Sequence, residues 1–358
     1  MRFIASIFWN HEERRLRALW RLAAQLVIML LCLLILQLVV LLGTMLVAFA
    51  TGSITLEQLT PDSISGLLNN PPEDLSLLFS TAALVAFVGA IWLAGRLLDR
   101  RRFAGFGFHF NKDWWSDLGF GLFLGAFLMV IIFLIERTAG WVTVTGTFVT
   151  QNPNGVFAAA ILLPVVQFVY VGIYEELFSR GYQLTNLAEG FNWKRIGPRW
   201  AIVIATLLSS AVFGLLHLSN PNASAISTFN IFLAGILLAL GYILTGELAI
   251  PIGLHITWNF FQGNVFGFPV SGTSVRAATF IAIEQGGPEL WTGGAFGPEG
   301  GLVGVLAMVL GGLLTMGWVR LRYGHTELHT PIAEAPERPA RKADAPLEEF
   351  AEPQEMPQ

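Results

Sequence analysis

Six polar residues stand in stretches of sequence that are otherwise apolar, and their types suit the hydrolysis of a peptide bond. The first group is Tyr174-Glu175-Glu176-Leu177-Phe178-Ser179-Arg180-Gly181. On a helix Glu176 and Arg180 are one turn apart on the same face, where an ion pair forms easily, while Glu175 points about 100° away. That spacing divides their roles: Glu176 becomes a structural carboxylate held by Arg180, and Glu175 is left to face a cavity as a general base. A charged helix end reaching for the membrane interface is the plain alternative. The second group, Phe213-Gly214-Leu215-Leu216-His217, offers one imidazole near the end of an apolar run. A lone histidine there is more often a satisfied core residue than a catalytic one. In the third, His255-Ile256-Thr257-Trp258-Asn259, His and Asn lie on one helix face and direct two donors at one point, as an oxyanion hole requires. An interhelical hydrogen-bonding pair is the alternative here. Ionisable groups inside membrane spans cost roughly 3 kcal/mol each at a helix centre, so three such groups close together are hard to explain as packing.

The set Glu-Glu-x-x-x-Arg, Phe-x-x-x-His and His-x-x-x-Asn resembles the motif series of the CPBP family, the CAAX prenyl protease 2 and bacteriocin-processing (Abi) group of intramembrane endopeptidases. The resemblance covers roughly Val156 to Phe268, with the motifs in the family's order. It implies a helical fold of about eight spans, with Glu175 as the general base and His217 as its partner on the attacking water. Glu176 and Arg180 would support them, and His255 and Asn259 would form the oxyanion hole. The expected substrate is a membrane-embedded or membrane-associated peptide or protein, and no cofactor is needed. Family members are also described as metalloproteases; in that case Glu175, His217 and His255 would hold zinc with a water as fourth ligand. The metal-free reading is preferred, because Arg180 already engages one carboxylate. A transporter, scaffold or immunity protein using the same polar cluster to bind a ligand or a proton is the rival reading.

Other peptidase signals fail. His11-Glu12-Glu13-Arg14-Arg15 begins like a zincin motif but has Arg where the second His belongs. His325 and His329 are four residues apart with no third ligand in view, and neither a Gly-x-Ser-x-Gly elbow nor a Gly-x-Gly-Asp sequence occurs.

The elements that position these residues are membrane spans. Of 358 residues, 54% are hydrophobic and 13% charged, and the mean hydropathy is +0.61, above the range of a soluble domain. The net charge of -4 gives no reason to expect nucleic acid, and the lone Cys32 excludes disulfides and thiolate clusters. At about 20 apolar residues per span, the sequence predicts an all-α bundle of eight. These run approximately over 22–50, 77–98, 118–135, 156–178, 200–218, 227–245, 248–268 and 302–319. Lys and Arg alternate between loops so that both termini face the cytoplasm, in what is expected to be a bacterial plasma membrane. Residues 1–21 read as a cytoplasmic amphipathic segment or a charged flank, 22–150 as a region of three spans, 151–323 as a peptidase core of five, and 324–358 as a disordered cytoplasmic tail. The Gly-rich loop 269–301 reads as a mobile linker or an outer lid.

One difficulty stands in this scheme. With the fourth and fifth spans as drawn, Glu175 and His217 lie about 25 Å apart along the membrane normal, at 1.5 Å per residue. The simplest repair lets the fourth helix begin near Ile161 and continue through Tyr182 to about Ala188, with the fifth sitting lower or tilted.

Overall fold

The structure is a computed structural model, and it describes residues 7–52, 60, 62, 73–152, 154–273 and 277–336. Seven helices among the described residues are long and apolar enough to cross a membrane. They are α1 (Ala18–Ala50), α2 (Glu73–Ala94, continued as a π-helix over Gly95–Asp99), α3 (Lys112–Thr138), α4 (Phe157–Phe191), α5 (Gly197–Leu216), α6 (Ala225–Thr245) and α8 (Leu302–Tyr323). A leucine-rich face of α1 and an aromatic-rich apolar face of α3 stay exposed, as the lipid-facing sides of a multi-pass bundle must be.

The expected eighth span is α7, Ala249–Phe260 with a π-helical extension over Phe261–Val265. It falls just short of a span's length, and the reason lies in where it sits. From Ala249 to His255 every residue is buried, so α7 is an inner helix wrapped by α3, α4 and α6 and meets little lipid. Pro251 fits because the first turn of a helix has no intrahelical use for its N–H. Close approach to α3 depends on small residues: a Cβ on Gly121 or Gly125 would collide with the carbonyl oxygens of Ile250 or Leu254, and one on Gly253 would meet that of Leu118.

The fourth helix resolves the depth conflict. It runs over Phe157–Phe191, further inward than the hydropathy boundary at Phe178, with a π-helical stretch at Leu177–Leu184. Glu175 therefore lies mid-helix. Hydropathy ended the span early because Arg180 and Glu189 look like loop residues, yet both are buried and paired. Glu189 accepts from Arg15 at 2.6 Å, Arg21 at 2.9 Å and Arg101 at 2.6 Å, and Arg21 also pairs with Asp99 at 2.8 Å.

That junction corrects the reading of the amino-terminal segment. Two short strands, β1 (Trp9–Asn10) and β2 (Arg15–Leu16), form a tight hairpin, and Arg15 and Arg21 are buried in ion pairs where an amphipathic segment or a charged flank was expected. Phe3 and Ile4 lie outside the described residues. The expected tail is corrected in part as well. Through residue 336 the chain packs: Ile332 and Ala333 are buried, the His329 N–H donates to Ile243 at 2.8 Å, and the Glu334 carbonyl accepts from Arg101 at 2.9 Å. The rest of that tail, 337–358, lies outside the described residues.

Two further strands accompany the helical bundle. β3 (Val142–Thr150) pairs antiparallel with β4 (Ala278–Gln285), with an irregularity between Val144 and Gly146. The Gly-rich loop expected to be a linker thus supplies half of a ribbon. Gln285 anchors it by donating to the buried Glu136 of α3 at 2.8 Å.

Replacing Gly125 with valine should lower stability by about 1–3 kcal/mol through overpacking, measured as a fall in the thermal midpoint of the detergent-solubilised protein. Gly119→Ala on the same helix, where a Cβ meets open space, should leave the midpoint unchanged.

Candidate active site

Glu176 is the hub of the polar cluster. It is fully buried, and its Oε1 accepts from Arg180 at 2.9 Å and from His255 Nδ1 at 2.7 Å. The i, i+4 spacing brings the first partner, and α7, pressed against α4, brings the second. Arg180 is buried too; it donates to the Gly235 carbonyl of α6 at 3.1 Å and lies over the Phe213 ring of α5 at 4.4 Å. One guanidinium thus ties α4 to α5 and α6, while the carboxylate beside it ties α4 to α7.

Glu175 points elsewhere, as the 100° step requires. It lines a cavity of about 1020 Å³ together with His217, His255 and Asn259. Its Oε2 is buried without a hydrogen-bond partner among the described residues, and His255 Nε2 is 3.9 Å away. One water molecule bridges such a gap with ordinary hydrogen bonds to both groups.

Hydrogen-bond partners fix the direction in which each imidazole works. His217, at the end of α5, has Nδ1 at 2.8 Å from the Phe213 carbonyl oxygen. A carbonyl accepts and never donates, so Nδ1 carries the proton and Nε2 is left as an acceptor. His255 donates from Nδ1 to Glu176, which leaves Nε2 directed toward Glu175. Asn259 follows one turn after His255 on α7 and makes no side-chain hydrogen bond among the described residues, so its amide is free for a ligand.

All six residues singled out in the sequence therefore occupy this region: Glu175, His217, His255 and Asn259 on the cavity wall, Glu176 and Arg180 behind it. No three His, Cys, Asp or Glu side chains among the described residues are gathered so as to hold a metal ion.

Glu299 escaped the sequence reading. It lies on the cavity wall, 3% exposed, and accepts from the N–H and hydroxyl of Ser271 and from Trp258 Nε1 at 3.4 Å. Burial pushes its carboxyl up, against the pull of these hydrogen bonds. Nothing distinguishes an acid within Gly-Pro-Glu-Gly-Gly as buried, because its partners come from α7 and from a loop nearly 30 residues away.

A multi-pass helical bundle enclosing a polar cavity within its spans defines an integral membrane protein with an internal site. Residues 157–261 match the family model Rce1-like, the type II CAAX prenyl endopeptidases. The resemblance drawn from the three motifs is thus found again by comparison over the helices that carry them. The chain is also 27% identical over 211 residues to the uncharacterized protein YyaK of Bacillus subtilis (strain 168), covering 57% of this chain and 64% of that relative. No solved structure matches.

Replacing Arg180 with leucine should cost about 3–5 kcal/mol, because it strands a buried carboxylate, and thermal unfolding in detergent measures the loss. Lysine at the same position should not restore it, since one ammonium cannot both pair with Glu176 and span to Gly235 while stacking on Phe213.

Proposed function

We propose that this protein is an intramembrane endopeptidase that hydrolyses a peptide bond of a membrane-associated substrate by an activated water. The observation that carries the reading is the mix of hydrogen-bonding character on the wall of one cavity: two groups that can accept, Glu175 and His217 Nε2, and two that can donate, Asn259 and His255 Nε2. Hydrolysis needs that division, because the water must lose a proton where the carbonyl oxygen gains charge. The Rce1-like match over these same helices supports it.

His255 acts as the imidazolium. Glu175 and Glu176 bring two negative charges to the cluster and Arg180 one positive; a protonated His255 balances the set and lets both ring nitrogens donate, Nδ1 to Glu176 and Nε2 to the cavity. Water held by Glu175 and His217 attacks the carbonyl carbon as its proton passes to Glu175. The oxyanion forms against Asn259 and His255. Collapse of the intermediate breaks the C–N bond, and the amine leaves with the proton from Glu175. No step calls on a covalent intermediate or a metal.

The arginine-rich helix ends face the cytoplasm in this reading, with both termini on that side, and the bacterial relative favours a bacterial plasma membrane.

The test is cleavage of a quenched fluorescent peptide library by the detergent-purified protein. Glu175→Gln should abolish turnover, and Asn259→Ala should lower kcat by about 10²–10³-fold, roughly 3 kcal/mol, with KM little changed. Chelator should have no effect. Full activity in Glu175→Gln would overturn the reading, and weakened binding without loss of turnover in Asn259→Ala would favour the transporter-like alternative.

A further inference from the structure

The cavity has a floor and a mouth, and they face opposite sides of the bundle. Beneath Glu175 the chain is sealed: Glu176, Leu177, Arg180 and Tyr182 are buried on α4, and Phe106 and Leu248 close in from neighbouring segments. At the other end the wall reaches Gln151, Asn152 and Thr273, which are exposed beside the β3–β4 ribbon.

Height along the helices agrees. Glu175 is 16 residues from the inner end of α4 at Phe191, about 24 Å at 1.5 Å per residue. His217 follows the last residue of α5, about 30 Å from Gly197. His217 therefore lies at the end of α5 away from the one that carries Arg100, Arg102, Lys194, Arg195, Arg199 and Arg320, and Glu175, 18 residues from Phe157 and 16 from Phe191, lies at the middle of α4. At the ribbon end Arg137 stands in the last turn of α3. By the positive-inside rule the arginine-rich end is cytoplasmic, and the mouth opens on the opposite face.

Depth sets a requirement on what enters. Leu163, near the rim, and Glu175 are 12 residues apart on α4, about 18 Å. An extended chain at about 3.3 Å per residue covers that distance with five or six residues. A folded domain does not fit a space of 1020 Å³, whereas a single strand does.

We infer that substrate reaches Glu175 from the non-cytoplasmic side, as an unfolded stretch of at least five residues next to the bond that is cut. The substrate class is exported or membrane-anchored polypeptides with the cleaved segment exposed on that face. The inference rests on Glu175 being the reacting centre, but access can be read without any activity.

The test is thiol labelling on a Cys32→Ser background, in intact cells and in inverted vesicles. Thr273→Cys reports the rim, Lys194→Cys the opposite end, and Val171→Cys and Phe168→Cys the interior of the cavity. A charged, membrane-impermeant thiosulfonate should modify Thr273→Cys and at least one interior cysteine in intact cells, and Lys194→Cys in inverted vesicles. The inference is overturned if the interior cysteines react in inverted vesicles but not in intact cells. It is equally overturned if a lipid-soluble maleimide labels them while the charged reagent fails from both sides, which would mean entry from the bilayer. Retained cleavage by Glu175→Gln would remove the peptidase reading and leave the labelling result standing.

Discussion

A fully buried carboxylate is tolerable only when its charge is met at close range, and Glu176 meets that condition twice, through Arg180 on its own helix and His255 on α7. Much of the site follows from this. The pair with Arg180 fixes α4 against α5 and α6, because the guanidinium must also satisfy Gly235 and cover Phe213. The bond to His255 fixes the ring of α7 and so decides which nitrogen looks into the cavity. Glu175 is left facing the cavity, because its neighbour takes the Arg180 guanidinium and the Nδ1 side of His255.

Helix geometry does the rest with little help from loops. The four polar groups first singled out on the cavity wall come from α4, α7 and the end of α5, whose contacts are made by small residues or buried ion pairs. A site built on packed helices keeps donors and acceptors at fixed distances from a reacting atom, which is what stabilising a developing charge demands. The π-helical stretch at Leu177–Leu184 begins one residue after Glu176, so the widened turn falls where the cluster crowds most and Arg180 still reaches its carboxylate.

The sequence made some of this legible and hid the rest for physical reasons. Glu176 with Arg180, and Glu175 turned away from both, could be read because they depend only on helical periodicity. Most spans could be read from hydropathy. The inner end of α4 could not, since Arg180 and Glu189 are polar residues whose partners lie far off in the chain. Nor could the short length of α7 be anticipated, because a buried inner helix and a lipid-facing span have the same apolar composition. The packing of Ile332 and Ala333 was hidden by flanking Pro, Ala and Glu of disorder-like composition, and the β3–β4 ribbon joins strands separated by more than 100 residues.

The junction at Glu189 bears on biogenesis. Arg15, Arg21 and Arg101 all leave the ribosome before the carboxylate that will neutralise them. While the first helices insert, Glu13 and Asp99 are the acids these cations pair with, and cations beside a helix end favour the side where synthesis takes place. Once α4 arrives, Glu189 takes up all three. Residues of the type that biases the direction of insertion thus end, with their charge met, in the interior of the finished bundle.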